Sequence, residues 1–361
     1  MTPSSASVSA GPKGLDLAAV RQHLDRVRPG LVAGDLTGDL IQGGKSNLTY
    51  TVTDGRTTWV VRRPPLGHVL STAHDMTREH RVISALGETR VPVPGTIALC
   101  EDPAVIGAPF YVMEFVEGTV YRTAAEAAAL GRDRAYALAE VLVDVLADLH
   151  AVDPASVGLR DFGRPEGYLE RQVRRWRTQL DASRSRDLPG IEQLHADLAA
   201  RVPGGSRAAI VHGDYRLDNC IVGGHDQIRA VLDWEMATLG DPLADLGLSL
   251  VYWGLWVAPG GGGLFGAPPP PGSLPSVPEM AQRYAVRSGV DLGDLGWYLA
   301  FAYFKIAVIL EGIHYRHQAG QTVGAGFDQV GAMVPYLVDL GNSTLRGSAG
   351  SDAAPSAPRE G

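Results

Sequence analysis

The stretch that decides the fold of this chain is HGDYRLDN at His212–Asn219, followed further along by DWE at Asp233–Glu235. A short apolar run precedes each segment, Ala208–Val211 before the first and Ile228–Leu232 before the second. Short apolar runs of this kind predict buried strands. The polar side chains that follow them therefore stand at strand ends, where loops carry functional groups into a cleft.

The residue types in these two segments suit phosphoryl transfer. That reaction needs a carboxylate that orients the acceptor hydroxyl and takes its proton, and oxygen ligands that hold Mg²⁺ against the triphosphate. Asp214 suits the first role. Asn219 and Asp233 suit the second, because Mg²⁺ prefers hard oxygen ligands, and Glu235 is expected to be a further ligand through water. The cofactors that follow are ATP or GTP together with Mg²⁺.

These segments resemble the aminoglycoside phosphotransferase family, which also contains choline kinase-like enzymes. HGDYRLDN is similar to its catalytic loop, and DWE stands where this family and protein kinases carry their second magnesium-binding aspartate. The Asp-x4-Asn spacing is also that of kinases. The segment GDPLADLG at 240–247 continues the similarity, and its Asp245 is expected to hydrogen-bond the catalytic loop, which His212 braces. The resemblance implies a small-molecule kinase that phosphorylates a hydroxyl group.

The patterns around these motifs predict an α+β, two-lobed, protein-kinase-like fold with a small antiparallel β lobe and a larger helical lobe. Residues 14–117 are predicted to form the N-terminal nucleotide-binding lobe, mainly antiparallel strands with one helix at His74–Leu86. Residues 118–341 form the catalytic and substrate lobe, in which amphipathic helices dominate. A Gly/Pro-rich loop is expected at 258–278, and mobile tails are expected at 1–13 and 342–361.

A glycine-containing loop between two predicted strands is the candidate phosphate-binding loop. Glycine lets backbone N–H groups approach phosphate oxygens closely. A Walker A loop is excluded, because it would need glycine where Asp39 stands and a helix, not a strand, should follow. The loop consists of Gly43, Gly44, Lys45, Ser46 and Asn47.

The third strand departs from the kinase pattern. In that pattern a lysine on this strand touches the α- and β-phosphates and pairs with a helix glutamate, but here Arg62 occupies its position. Glu79 is the matching helix acid. Arginine keeps the positive charge and can pair bidentately with a carboxylate, so Arg62 is predicted to replace the lysine. Arg63 is the competing candidate, because alternation along a strand lets only one of them face the cleft, and Lys45 could compensate from the loop.

Two further features concern the boundary between the predicted lobes and the acceptor. The segment Glu114, Phe115 and Val116 resembles the hinge that holds adenine through backbone hydrogen bonds. Residues 246–340 contain six acidic and four basic side chains, which is too balanced to favour a polycationic aminoglycoside. FAYFKIAVILEGIHYR at 301–316 and VVRRPP at 60–65 resemble the phosphotransferase domains fused to some acyl-CoA dehydrogenases. This resemblance implies a hydroxyacyl acceptor, free or CoA-linked, and an aminoglycoside-like acceptor stays open.

Composition limits the function classes. The net charge of −8 disfavours nucleic acid as a partner, and two cysteines cannot make a disulfide framework. The N-terminus has no apolar core of signal-peptide length, so we expect a cytoplasmic protein that does not bind membranes. The expected partner is a small-molecule hydroxyl compound, and the expected assembly is a monomer or homodimer. The alternative function is a nucleotide-binding pseudokinase module without turnover, which the arginine at position 62 suggests.

Overall fold

The computed structural model describes residues 11–41, 47–66, 75–204, 207–258, 269–321, 327 and 329–351. The chain forms two compact units. The first consists of Met1–Gly118 with Arg229–Glu235, and the second of Thr119–Ile228 with Met236–Gly361. The sequence had assigned all of 118–341 to one lobe, so the return of 229–235 to the first unit is a correction.

A hydrogen bond to a residue distant in sequence holds Arg229–Glu235 in the first unit, and a local one closes the turn of this segment. The backbone N–H of Val231 donates to the carbonyl of Pro92 at 2.8 Å. The Trp234 side chain is only 1% exposed, and its Nε1–H donates to the carbonyl of Val231 at 2.9 Å. The local sequence pattern does not predict which unit this segment joins, because a short apolar run can be buried in either unit.

The described residues between 11 and 118 form five strands and two helices of the first unit. The elements are α1 (Leu17–Val27), β1 (Thr37–Leu40), β2 (Leu48–Thr53), β3 (Thr58–Arg63), α2 (Met76–Leu86), β4 (Thr96–Cys100) and β5 (Phe110–Glu114). These strands form one antiparallel sheet in the order β1-β2-β3-β5-β4.

Helix α1 is an element that the sequence analysis missed. The Asp16 side chain caps it by accepting the N–H groups of Ala18 and Ala19 at 3.0 Å each. Its residues Val20 and Leu24 are buried in one cluster with residues from the sheet. The described part of residues 14–117 therefore contains two helices, where one was predicted. The signal was present in the spacing of Val20 and Leu24 behind a capping aspartate.

Strand β3 places its two arginines on opposite sides of the sheet. Arg63 is 4% exposed and its Nη1 donates to the carbonyls of Gly14 and Ile106 at 2.5 and 2.9 Å. Arg62 pairs across the strands with Thr49 and Tyr111 and points to the other side. Because side chains alternate along the strand, Arg63 stabilises the fold and Arg62 faces the candidate site.

The second unit is mainly helical, as predicted. Helices dominate its described residues. The elements are α3 (Ala124–Ala128), α4 (Arg132–Ala151), α5 (Tyr168–Ser183), α6 (Ile191–Ala200), β6 (Ala209–Val211), β7 (Cys220–Val222), β9 (Thr238–Gly240), α7 (Pro242–Val257), α8 (Val277–Ser288), α9 (Leu295–Gln318) and α10 (Val330–Ser351). Strand β8 (Ile228–Val231) starts in this unit and continues into the first.

Helix α9 is the central helix of the second unit and contacts α5, α6, α7 and α10. Among the described residues it is the helix with the length and hydropathy to cross a bilayer, and 67% of that apolar window is buried inside the protein. Burial of this kind is typical of a core helix.

Three expectations about tails and loops need correction. Helix α10 continues to Ser351, beyond the predicted start of a tail at 342, because Leu345 is buried at 5% exposure and extends the packed face. The predicted 1–13 tail is already fastened at Lys13, whose carbonyl accepts the Tyr50 hydroxyl at 2.7 Å. The loop predicted at 258–278 gives way to α8 at Val277, because Ser276 and Glu279 form a capping box. Residues 1–10, 259–268 and 352–361 lie outside the described residues.

The turn between β2 and β3 depends on one carboxylate. Asp54 accepts the backbone N–H groups of Ala33 at 2.8 Å, Thr57 at 2.8 Å and Arg56 at 2.9 Å. These hydrogen bonds, with that from Ala33 the largest, lower the pKa of Asp54 to about 2. The carboxylate therefore ties the turn to the segment that precedes β1.

We predict that Asp54→Ala lowers the urea midpoint of unfolding at neutral pH. Because the folded-state pKa is depressed, the stabilisation is complete above the unfolded value of about 4. It is lost as the pH falls through about 2. The difference in midpoint between wild type and variant should therefore shrink between these two pH values. Asp39→Ala, at an exposed position of β1, is the control. A difference that stays constant down to the lower pH would contradict the assignment.

Candidate active site

In the first unit, Arg62 lies at the centre of a charged cluster. Its Nε is 2.9 Å from Glu79 Oε2, and its Nη2 is 3.2 Å from Glu79 Oε1 and 2.5 Å from Asp233 Oδ1. The pairing of Arg62 with Glu79 that the sequence predicted is thus present. Burial opposes the charge on Arg62, but Glu79, Tyr111 and Asp233 outweigh it and raise the pKa of the guanidinium. The group remains a fixed cation.

Glu79 is a buried carboxylate with more partners than the sequence suggested. It is 1% exposed, and the Tyr111 hydroxyl donates to its Oε2 at 2.8 Å. Burial, and then the Glu79 charge, raise the pKa of Tyr111. Asn47 donates through Nδ2 to Glu79 Oε1 at 3.4 Å and to Glu235 Oε2 at 3.1 Å. Tyr111 was missed because its position on β5 carries no motif.

The same cluster has the donor set for a hard cation. One carboxylate oxygen from each of Glu79, Asp233 and Glu235 lies within 4.8 Å of the others. Asn47 is 3% exposed, and its Oδ1 has no hydrogen-bond partner among the described residues. Three carboxylates around one guanidinium leave an excess of negative charge, so these residues fit Mg²⁺, which takes oxygen ligands. Glu79 was expected only as the partner of Arg62.

The Asp233-Trp234-Glu235 turn is held in an uncommon backbone conformation. Asp233 has a φ of +66°, in the left-handed region that non-glycine residues adopt infrequently and that aspartate tolerates better than most. The buried Trp234 anchors the turn. This turn brings carboxylate oxygens of Asp233 and Glu235 within 4.8 Å of each other, at the kind of functional site where backbone strain is often found.

In the second unit, a buried aspartate organises the loop at His212–Asn219. Asp245 is 3% exposed and accepts the backbone N–H groups of His212 at 2.7 Å and Gly213 at 2.8 Å. His150 Nε2 lies 3.2 Å from the same carboxylate. Burial opposes its ionisation, yet the hydrogen bond and charge of His150 keep the pKa of Asp245 low. The predicted role of Asp245 as a support of the loop is confirmed.

Two residues next to Asp214 complete this support. His212 is fully buried, and its Nδ1 accepts the backbone N–H of Asp214 at 3.3 Å, as a bracing role requires. Lys305 on α9 donates through Nζ to the carbonyl of Gly213 at 3.2 Å. Burial lowers the pKa of Lys305, and the Asp214 charge works in the opposite direction. Lys305 was missed, although it is one of only three lysines in the chain.

The Asp214 carboxylate has several polar neighbours. Asn219 donates through Nδ2 to Asp214 Oδ2 at 3.2 Å and to the Asp214 carbonyl at 2.9 Å. Arg216 Nε lies 3.5 Å from Asp214 Oδ1. Burial, and then the charge of Asp214, raise the pKa of Tyr252 on α7. Asp214 is therefore an oriented and partly exposed carboxylate, with a side chain 26% accessible.

The remaining predicted residues are placed as follows. Glu114 is the last residue of β5, and its Oε2 accepts the N–H of Gly95 at 3.3 Å. Phe115 is 41% exposed and Val116 is half-buried directly after the strand. Gly43, Gly44, Lys45 and Ser46 lie outside the described residues. Of the predicted metal ligands, Asp233 and Glu235 belong to the first unit and Asn219 to the second.

The chain belongs to the phosphotransferase enzyme family, whose profile matches residues 37–267. Acyl-CoA dehydrogenase family member 10 from Mus musculus is 34% identical over 331 residues, which are 90% of this chain and 31% of that protein. Family member 11 from Gallus gallus is 34% identical over 341 residues, 90% of this chain and 43% of that protein. The chain thus spans less than half the length of these curated relatives.

Solved structures with a similar fold include phosphotransferases. A protein from Ralstonia eutropha assigned to the aminoglycoside phosphotransferases has 32% identity and a TM-score of 0.81, and the match covers 92% of this chain and 98% of that one. More distant neighbours include an aminoglycoside phosphotransferase bound to GDP and kanamycin, at 14% identity and a TM-score of 0.56. Another is bound to AMP-PNP and hygromycin B, at 15% identity and a TM-score of 0.57. The predicted α+β kinase-like fold is confirmed.

Gly213, in the loop that carries Asp214, is a position where a side chain should destabilise the fold. Its φ is +83°, and a Cβ atom there would lie 2.8 Å from the carbonyl oxygen of Met236. Gly213→Ala should therefore combine backbone strain of about 1–3 kcal/mol with a steric overlap. The free energy of unfolding, measured in urea, should fall by more than in Gly158→Ala, where φ is +73° and no atom lies within 4 Å. Equal losses in the two variants would show that the overlap is relieved without cost.

Proposed function

We propose that this protein is a kinase that transfers the γ-phosphoryl group of ATP or GTP to a hydroxyl group of a small molecule. The observation that carries the proposal is the Asp214 carboxylate, oriented by Asn219 and Arg216 on a loop that Asp245 supports, in a chain of the phosphotransferase family. A carboxylate held in this way can accept a proton without first changing its rotamer.

In the proposed reaction, Asp214 accepts the proton of the acceptor hydroxyl. The oxygen forms a bond to the γ-phosphorus while the bond from that phosphorus to the bridging oxygen breaks, and ADP or GDP leaves. Asp233, Glu235 and Asn219 would hold Mg²⁺, which neutralises charge on the phosphates when it is bound. This assignment is supported by the oxygen-rich donor set around Asp233 and Glu235.

For the nucleotide, we propose that Arg62 acts in place of the usual lysine and that Glu79 holds its guanidinium in position. The backbone of Gly43, Gly44, Lys45, Ser46 and Asn47 would approach the phosphates. The segment Glu114, Phe115 and Val116 would hold the base through backbone groups. The fold neighbours that bind GDP or AMP-PNP support a nucleotide ligand of this kind.

The acceptor is proposed to be a hydroxylated acyl compound, either free or as a CoA ester. This is supported by the relatives named acyl-CoA dehydrogenase family members 10 and 11. An aminoglycoside-like compound is the other acceptor, supported by the name of the Ralstonia eutropha structure. A cytoplasmic location, a monomer or homodimer, and the lack of nucleic-acid or membrane partners remain parts of the proposal.

A second candidate function is a nucleotide-binding module without turnover. The ion pair between Arg62 and Asp233 favours this second function. The guanidinium is bound to a carboxylate that would have to bind the metal ion during phosphoryl transfer. Release of ADP in the presence of hydroxyacyl-CoAs, choline-like alcohols, sugars and aminoglycosides separates the two functions. Binding of Mg-ATP without ADP release on any acceptor would establish the module.

We predict that Asp214→Asn lowers kcat by about 10²–10⁴-fold, the range for loss of a general base. The thermal midpoint should change little, because asparagine keeps the shape of the side chain. Asp187→Asn, whose carboxylate is 87% exposed, is the matched control and should retain wild-type turnover. Wild-type kcat in Asp214→Asn would refute the role of this residue as the base.

The role of Arg62 in nucleotide binding can be tested separately from its contribution to the stability of the fold. Arg62→Met should raise KM for Mg-ATP by at least about tenfold, since a charge-assisted hydrogen bond contributes about 1.5–3 kcal/mol. It should also destabilise the fold by about 3–5 kcal/mol, because Glu79 is left buried and unpaired.

The double variant Arg62→Met/Glu79→Gln should regain stability and keep the high KM, whereas Arg62→Lys should retain most of the nucleotide affinity. Unfolding in urea gives the stability, and initial rates at varied Mg-ATP give KM. A wild-type KM in the double variant would show that Arg62 serves only the fold.

A further inference from the structure

The second unit contains a pocket beside the catalytic loop with an aromatic and cationic lining. Three aromatic side chains, Tyr252, Trp253 and Trp256, come from α7. Trp253 and Trp256 lie against each other with ring centroids 5.6 Å apart. The charged side chains in the lining are Arg122, Arg216 and Asp218. Pockets with an apolar wall and a few polar groups are the usual form of small-molecule sites.

This pocket adjoins Asp214 through two of its lining residues. Arg216 Nε lies 3.5 Å from Asp214 Oδ1. The Asp214 charge also helps to raise the pKa of Tyr252, after the larger effect of burial. The proposed base therefore lies next to two side chains of the pocket wall.

The two arginines differ in what they contact. Arg216 is engaged in the wall, since its guanidinium lies over the Tyr252 ring at 4.9 Å and its Nη2 is 3.2 Å from Asp218 Oδ2. Arg122 is exposed, and within the described ranges its side chain makes no hydrogen bond or ion pair. Its backbone N–H is bonded to Glu126 Oε2 at 2.7 Å, which fixes the start of the side chain.

An unpaired guanidinium at an aromatic pocket favours one sign of ligand charge. Arginine binds carboxylate and phosphate oxygens through two parallel hydrogen bonds. The two carboxylates at this pocket, Asp218 in the lining and the adjoining Asp214, both already pair with Arg216. A ligand that carries amines would therefore meet the unpaired positive charge of Arg122, whereas an anionic ligand would be attracted to it.

The geometry points to Arg122 as a specificity-determining residue that binds an anionic group of the acceptor. The apolar part of that acceptor lies along Tyr252, Trp253 and Trp256, and its hydroxyl faces Asp214. The inference rests on the proposed function for the transfer to the hydroxyl, whereas the selection of charge is a property of the pocket alone.

Binding of three matched probes tests the inference: an ω-hydroxyalkanoate, its primary amide and the amino alcohol of equal length. Calorimetry with the full chain should give the tightest binding for the acid. Arg122→Gln should weaken binding of the acid by about fivefold, as expected for an exposed ion pair, and leave the amide unchanged. Arg122→Glu should reverse the order of acid and amine. Arg201→Gln, an exposed arginine outside the pocket, is the control.

The outcomes separate this inference from the proposed function. Preference for the acid that disappears in Arg122→Gln and persists in Arg201→Gln supports the inference, and the preference should shrink at high salt because the group is exposed. Equal binding of the three probes, binding of none, or a preference that survives Arg122→Gln overturns it. Absence of ADP release with every acceptor would refute the proposed function without altering these binding results.

Discussion

One buried guanidinium joins parts of the chain that are far apart in sequence. Arg62 on β3 holds Glu79 from α2 and Asp233 from the returning segment at 229–235. A buried carboxylate such as Glu79 is costly unless it is paired and hydrogen-bonded, and here the guanidinium and the Tyr111 hydroxyl supply both. The position of Asp233 in the first unit follows from this pairing, together with the burial of Trp234.

In the second unit, a buried carboxylate rather than a guanidinium holds separate segments together. Asp245 accepts two successive backbone N–H groups of the loop, so it shapes the backbone of His212 and Gly213. Glycine at position 213 allows the positive φ and leaves room for the carbonyl of Met236, which a Cβ atom would overlap. His150 is in turn bonded through Nδ1 to the Tyr284 hydroxyl at 2.7 Å, which links the support to α8. Asp214 is thus presented by a loop in which the backbone N–H groups of His212, Gly213 and Asp214 are hydrogen-bonded.

Sequence patterns predicted most elements because their local signals were strong. The amphipathic spacing in α4 and the alternation in β3 arise from burial on one face, and burial on one face leaves a period in the sequence. The last turns of α10 were missed because small and polar residues dilute that period, whereas α1 was missed although its period is present. Val20 and Leu24 of α1 pack in a cluster with residues of the sheet, and Leu345 of α10 is buried. The motif residues were found because chemistry requires particular side chains at a fixed spacing, whereas Tyr111, Lys305 and Arg122 belong to no motif.

The sequence by itself determined the class of this protein, since an Asp-x4-Asn loop followed by an aspartate turn is specific to few kinds of chemistry. It also determined that Arg62 stands where a lysine is usual. Only the tertiary structure decided that Arg62 binds two carboxylates while Arg63 serves the fold, and that Glu79 shares its neighbourhood with Asp233 and Glu235. The physical reason is that the spacing of apolar residues along the chain indicates which residues are buried and which are exposed. The partner of a buried charge, in contrast, is chosen by the packing of segments that lie more than a hundred residues apart.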